Sequence, residues 1–157
     1  MTQRKRLDRR IVQAKLPSAG GTYVLVFHSQ HKGSIRIGSL GTLNTRPGYY
    51  LYVGSAFGSG GLRARVGRHA LMRKTQRWHI DYLARYLYLV GVFYSQDQER
   101  YEHEWAGLIG EIESVSIPMA GFGASDIPGE THLYFSARKP GDEFFSPLSC
   151  KHRAYLI

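Results

Sequence analysis

The chain has 157 residues, of which 43% are hydrophobic and 13% aromatic, and its formal net charge is +9. This apolar content supports one hydrophobic core and excludes global disorder, whereas the single cysteine, Cys150, excludes a disulfide framework and a cysteine-based zinc site. No apolar run approaches the roughly 18 residues that span a membrane, and no apolar segment follows the basic start of the sequence as in a secretory signal. We therefore expect a cytoplasmic protein without a membrane partner, in a compartment that keeps the thiol reduced.

Basic and acidic residues are separated along the chain. Arginine and lysine are concentrated in residues 1–15 and 63–85, while ten of the twelve acidic residues lie between Asp97 and Glu143. This separation is typical of a nucleic-acid-binding surface, and a charge excess that only aids solubility gives the same pattern. On the first interpretation, the phosphate contacts are expected from Arg63, Arg68, Arg73, Lys74 and Arg77.

The first predicted elements are an arm and two strands. Residues 1–19 are basic and end in Pro, Ser and Ala before two glycines, which predicts a flexible N-terminal arm before a single domain over 20–157. The run TYVLVF (22–27) is rich in β-branched and aromatic residues and predicts a buried strand. SIRIGSL (34–40) alternates and predicts a half-exposed strand, which we expect to form a hairpin with the first.

A third strand and a helix follow. PGYYLYVGS (47–55) begins with a turn dipeptide and predicts a strand that the glycines after it end. From Gly61 to about Arg73 the pattern is helical, because Leu62 and Val66 recur on one face at a spacing of four residues.

The remaining elements alternate between helix and strand. Residues 77–87 predict a short helix, 88–95 a fourth strand, 97–112 a helix capped by Asp97, and 132–137 a last strand. The order predicts an α+β fold with a small mixed or antiparallel sheet and helices on one side. We place the core of the domain over 20–137 and a C-terminal extension over 138–157.

The glycine-rich segment GSAFGSGG (54–61) lies between a strand and a helix, where phosphate loops occur. It lacks the lysine followed by Ser or Thr of a Walker loop, and it lacks the glycine spacing of a dinucleotide fold. We therefore interpret it as the corner between a strand and a helix.

Several short segments together resemble a known family. GTY (21–23), YVG (52–54) and LRARVGRH (62–69) are similar to the motif of the GIY-YIG nucleases. With RWHIDYL (77–83), FGASD (122–126) and HLYF, they resemble an uncharacterised GIY-YIG-like subfamily that occurs alone or fused to endonuclease III-type glycosylases. The resemblance covers roughly residues 20–137, and SIRIGSL is an extra strand between the two tyrosine motifs.

The resemblance implies a catalytic set. Tyr23 and Tyr52 match the motif tyrosines, one of which would act as a general base or orient the attacking water. Arg65 and His69 match the arginine and histidine of the family's R-x-x-x-H helix and belong to the implied catalytic set, and Arg63 and Arg68 are neighbouring alternatives to Arg65. An arginine near a tyrosine would lower the tyrosine pKa.

The resemblance also implies one divalent metal ion, Mg²⁺ or Mn²⁺, held by a glutamate. Glu102 and Glu104 are both candidates, and because they lie about 200° apart around a helix only one can face the site.

His79 and Asp81 form a second candidate group. His79 would position a water molecule or a phosphate, and Asp81 would orient it, although a packing role at a helix start explains both residues equally well. Asp126 is a candidate partner of His132 or Arg65. A zinc site formed by His28, His31, His69 and His79 lacks a ligand spacing.

Three hypotheses follow for function. The leading one is a metal-dependent endonuclease that acts on DNA, in repair or in the processing of structured DNA. The alternative is a non-catalytic DNA- or RNA-binding module with a degenerate GIY-YIG site. A third is an interaction partner of a DNA-repair protein, given the fusions that the resemblance implies.

Overall fold

The computed structural model describes residues 6–124, 129–148 and 150–156. Its strands are β1 (Thr22–Ser29), β2 (Gly33–Ile37), β3 (Gly41–Thr45), β4 (Gly48–Ser55), β5 (Tyr88–Ser95), β6 (Val115–Ser116), β7 (Leu133–Ser136) and β8 (Arg153–Leu156). Its α-helices are α1 (Arg9–Lys15), α2 (Gly61–His69), α3 (His79–Ala84), α4 (Glu102–Gly110) and α5 (Asp142–Phe145). Among these residues, no helix has both the length and the apolar character needed to cross a membrane.

Six strands form one antiparallel sheet in the order β6-β7-β4-β1-β5-β8. Its centre is β1, which pairs along its length with β4 on one side and β5 on the other. The predicted α+β class with an antiparallel sheet flanked by helices is confirmed. The C-terminal extension completes the sheet, because β8 pairs with β5 at one edge.

Helices cover both faces of the sheet, so the prediction of helices on one side was wrong. Helices α1, α2 and α3 pack on the face that carries Tyr23, Leu25 and Tyr52. Helices α4 and α5 pack on the face that carries Val24 and Leu51. Because β1 is apolar at successive positions and side chains alternate between faces, both faces must be covered.

The predicted hairpin between the first two strands is also corrected. Strand β2 pairs instead with β3 in a separate two-stranded sheet, in which Ile35 lies opposite Leu43. Both edges of β1 are taken by the longer strands β4 and β5, and Gly38 and Gly41 adopt positive φ angles where the chain reverses. The extra segment between the two tyrosine motifs therefore contains two strands.

The arm predicted over 1–19 is folded where the structure describes it. Asp8 caps α1 by accepting a hydrogen bond from the Ile11 N–H at 2.9 Å. Leu7, Val12 and Leu16 are buried in the core. Residues 9–15 are therefore a docked helix rather than a flexible segment.

The helices of the basic region are shorter than predicted. Helix α2 ends at His69 rather than near Arg73, and α3 spans six residues of the predicted 77–87. Both changes leave Arg73 and Arg77 in the connection between the two helices.

Candidate functional site

Adjacent antiparallel strands place the two motif tyrosines side by side. Tyr23 on β1 lies opposite Gly54 on β4, and Leu25 lies opposite Tyr52. A Cβ atom at Gly54 would lie 2.5 Å from the Tyr23 hydroxyl oxygen. The glycine of YVG is thus required by the Tyr23 ring, which fills the space that a side chain would occupy.

His69, the last residue of α2, contacts both tyrosines. The Tyr23 hydroxyl and His69 Nε2 form a hydrogen bond of 3.0 Å, and the Tyr52 and His69 ring centroids are 5.9 Å apart. Burial lowers the pKa of His69 to about 3, so the imidazole is neutral near pH 7. His69 therefore orients Tyr23 as a neutral hydrogen-bonding partner.

Burial raises the pKa of both tyrosines, contrary to the expectation that a nearby arginine makes one of them a base. For Tyr23, burial and the proximity of Tyr52 outweigh the lowering effect of Arg65. For Tyr52, burial and the charges of Glu102 and Asp81 do the same. Both hydroxyls are protonated at neutral pH and can orient a water molecule by hydrogen bonding.

Arg65 is held at the corner between β4 and α2. Its Nη1 donates to the Ser55 carbonyl at 3.3 Å, and its guanidinium lies 4.6 Å from the centre of the Trp78 ring. At the start of α2, a Cβ on Gly61 would lie 2.0 Å from the Ser18 carbonyl oxygen, which supports the interpretation of the glycines as a corner. A cleft of about 220 Å³ opens there, lined by Ala56, Gly58, Ser59, Gly61, Ala64, Arg65, Arg68, Arg77 and Trp78.

Of the two candidate glutamates, the structure brings only Glu102 to this region. Its Oε2 accepts a hydrogen bond of 3.1 Å from the Ser55 hydroxyl, and its Oε1 lies 3.2 Å from His132 Nδ1. Burial alone would raise the pKa of Glu102, but the contacts with His132 and Ser55 lower it on balance, so Glu102 is ionised at neutral pH. Glu104 is exposed on α4.

Ser55 links the arginine to the glutamate, a role that the sequence did not suggest. Its carbonyl accepts from Arg65 while its hydroxyl donates to Glu102. Tyr23 also interacts electrostatically with Tyr52, Arg65 and Glu102. The two tyrosines, Arg65 and Glu102 are therefore close enough to influence one another's charge, and Ser55 contacts Arg65 and Glu102 directly.

His79 and Asp81 do not form the predicted pair. Asp81 is fully buried and accepts two hydrogen bonds of 2.9 Å from Arg68, as well as the backbone N–H groups of Arg77 and Trp78. His79 Nδ1 instead accepts from the Gly123 N–H at 2.8 Å. Asp81 therefore joins α2 to the start of α3 through its hydrogen bonds, and His79 contacts the backbone of the loop before β7.

The predicted phosphate-binding residues divide into two groups. Arg68 is paired with Asp81, Arg63 donates to the Leu16 carbonyl at 2.9 Å, and Lys74 donates to the Leu71 carbonyl. Arg73 and Arg77 are exposed. The first three residues have structural partners, which leaves the last two as the better candidates for contacts with a polyanion.

Three further polar residues lie beside Glu102. His103, Glu130 and His132 present ligand atoms within 4.8 Å of one another, which allows them to hold a metal ion. The group has no signature in the sequence, because 27 residues separate His103 from Glu130 and no short ligand spacing joins them. Asp126, predicted to pair with His132 or Arg65, lies outside the described residues.

Comparisons with known proteins gave one match. Neither the curated proteins nor the solved structures contain a protein that matches this chain. The model of one family, described as a domain of unknown function, DUF123, matches residues 22–149, which include both tyrosines, Arg65, Glu102 and the His103–Glu130–His132 group. The chain therefore belongs to the DUF123 family, whose description as a domain of unknown function assigns no activity.

Proposed function

We propose that this chain is a cytoplasmic, metal-dependent endonuclease that hydrolyses phosphodiester bonds in DNA, including structured DNA formed in repair or processing. The observation that supports this proposal is the electrostatic proximity of Tyr23, Tyr52, Arg65 and Glu102, the last two of which are bridged by Ser55. It is the arrangement that the GIY-YIG resemblance implies for these same four positions. The adjoining cleft is lined by arginines, which suits a polyanionic substrate.

Glu102 is the residue that would hold the metal ion, Mg²⁺ or Mn²⁺. Its carboxylate is ionised, and 29% of its side chain is exposed, so a hydrated cation can reach it. Mg²⁺ keeps several waters and needs few protein ligands, which fits a site with one carboxylate. When bound, the ion would act as a Lewis acid toward the leaving oxygen.

The other residues have separate roles in the proposed reaction. Arg65 offers a planar guanidinium, which can bind two non-bridging oxygens of a phosphate. The neutral hydroxyls of Tyr23 and Tyr52 orient the attacking water, and His69 is a positioning residue because it acts through Tyr23. Arg77 lines the cleft and extends the binding surface.

A non-catalytic DNA- or RNA-binding module is the second candidate. The observation in its favour is that burial raises the pKa of both tyrosines, which leaves neither as an effective base near pH 7. Such a module would bind nucleic acid through Arg73 and Arg77 and leave its backbone intact.

A cleavage assay on duplex, single-stranded, nicked and branched DNA with Mg²⁺ or Mn²⁺ separates the two candidates. We expect cleavage by the wild type, and a loss of about 10²-fold or more in Arg65→Ala and Glu102→Gln, because each removes charge stabilisation from the transition state. Glu104→Gln is the matched control on the same helix and should cut like the wild type. Binding without cleavage of any substrate would establish the non-catalytic alternative.

A further inference from the structure

Three side chains meet where α4 approaches the segment that leads into β7. His103 Nδ1 lies 3.0 Å from Glu130 Oε2, and His132 Nε2 lies 3.7 Å from the same oxygen. We propose that His103, Glu130 and His132 bind one divalent transition-metal ion of the zinc class, at a site separate from the Mg²⁺ or Mn²⁺ position assigned to Glu102. This proposal does not depend on nuclease activity.

The state of His132 is the independent observation that points to a ligand. Its side chain is only 4% exposed, and neither ring nitrogen has a hydrogen-bond partner among the described residues, even though carboxylate oxygens lie 3.2 and 3.7 Å away. A buried polar group without a hydrogen bond is unfavourable. A cation at Nε2 removes this cost for that nitrogen.

Glu102 lies on the side of the His132 ring away from the proposed ion. Its Oε1 faces Nδ1, whereas Nε2 faces Glu130. A carboxylate at Nδ1 favours the tautomer that is protonated there, which leaves a lone pair on Nε2 for a metal. Metal-binding histidines are commonly oriented by a carboxylate in this way.

The donor set selects the class of ion. Two imidazole nitrogens and one carboxylate oxygen suit Zn²⁺ and related transition metals, whereas Mg²⁺ and Ca²⁺ prefer oxygen ligands. Ligand atoms around a tetrahedral Zn²⁺ are about 3.3 Å apart, and the contacts of 3.0 and 3.7 Å bracket that spacing. The His103 side chain is 62% exposed, so it can rotate toward the ion, and the open side of the group admits a water as a fourth ligand.

The bound ion would join α4 to the start of β7. His103 directly follows Glu102 on α4, while His132 directly precedes β7 and Glu130 lies three residues before that strand. Fixing the His132 ring also fixes the direction of the contact with Glu102. The ion would therefore position the carboxylate that the proposed nuclease reaction uses.

The proposal is tested by metal titration of the untagged protein, from which bound metal has first been removed with a chelator. We expect calorimetry to show one equivalent of Zn²⁺ per chain, and Co²⁺ to give the visible absorption of a tetrahedral site. His103→Ala and Glu130→Gln change exposed or half-exposed residues and should fold. Each should weaken Zn²⁺ binding by more than the roughly 10–100-fold expected for loss of an outer carboxylate.

Two glutamate variants complete the test. Glu102→Gln should keep the stoichiometry and weaken binding roughly 10–100-fold, as an outer carboxylate does, whereas Glu104→Gln should bind like the wild type. Absence of stoichiometric Zn²⁺ binding, or equal binding by wild type, His103→Ala and Glu130→Gln, would overturn the proposal and leave an ordinary ion-pair cluster. Zn²⁺ binding without DNA cleavage would refute only the proposed nuclease function.

Discussion

Gly54 controls how closely the two tyrosine strands and the Tyr23 ring can approach. In Gly54→Ala, the new methyl group would lie 2.5 Å from the hydroxyl oxygen of Tyr23, whose side chain is buried and bonded to His69. We expect a loss of about 1–3 kcal/mol in the free energy of unfolding, as in other overpacked cores. Urea denaturation measures this change.

Gly58→Ala is the matched control in the same segment, because a Cβ there has no atom within 4 Å. It should leave the unfolding free energy within about 0.5 kcal/mol of the wild type. Equal stability of the two variants would mean that the Tyr23 ring is not fixed in this position.

At single positions, the sequence alone could have decided between Glu102 and Glu104. The deciding observation is which of the two lies on the same side of the helix as the apolar residues. Trp105, Ala106 and Ile109 form the buried stripe of α4. Glu102 precedes them by three, four and seven residues, so it extends the same stripe, whereas Glu104 does not. The pKa values of the tyrosines were not available in this way, because burial of a hydroxyl depends on elements that are distant in sequence.

The contact between α2 and α3 depends on one buried carboxylate. Burial raises the pKa of Asp81, but the hydrogen bonds from Arg68 and from the N–H groups of Trp78 and Arg77 outweigh it, so the pKa in the folded protein is below the ordinary value. A lowered folded pKa contributes stability above the unfolded pKa of about 3.9, and this stability is lost as the pH falls through the folded pKa.

Asp81→Asn should therefore lower the unfolding free energy by about 1.5–3 kcal/mol at pH 6, the usual contribution of a hydrogen bond to a charged group. The difference from the wild type should begin to shrink below about pH 4, where Asp81 becomes protonated in the unfolded chain, and should shrink further as the pH falls through the lowered pKa of the folded protein. Denaturation curves from pH 3 to 7 measure both effects. Asp142→Asn changes an exposed carboxylate and should show neither effect.

Strands with continuous apolar patterns can be predicted from the sequence. Strand pairing cannot be predicted in this way when several strands compete for the same edge of a neighbouring strand. Strands β1, β4 and β5 have dense β-branched and aromatic runs, and their predicted bounds agree with the structure within one or two residues. The pairing of β2 was missed because β4 and β5 compete for the edges of β1. Helix α1 was not predicted because the many basic residues of this segment favoured an exposed arm. The capping Asp8 and the buried Leu7, Val12 and Leu16 are few among them.

Over the whole molecule, the fold divides the basic residues found in the sequence into those bonded to other protein groups and those exposed to solvent. The basic residues between 63 and 77 lie on α2 and in the connection after it, and Arg63, Arg68 and Lys74 are bonded to carbonyl or carboxylate partners. Arg73 and Arg77, in the connection after α2, remain exposed. The net charge of +9 therefore suggests more basic side chains free to bind phosphates than the fold leaves without a partner in this region.

The salt dependence of DNA binding tests this division of the basic residues. If Arg73 and Arg77 each contact a phosphate, Arg73→Ala and Arg77→Ala should each reduce the slope of log affinity against log salt concentration by about one. The affinity should fall by a similar factor for all sequences, because phosphate contacts do not distinguish bases. Fluorescence anisotropy with labelled duplexes at 50–300 mM salt, about the range in which such contacts weaken strongly, measures the slope.

Lys151→Ala is the control, because it removes an exposed cation outside residues 63–77, whose Nζ lies 3.6 Å from Glu99. This variant should leave the slope unchanged. An equal change in all three variants would show that the net charge, and not a defined surface, attracts the nucleic acid.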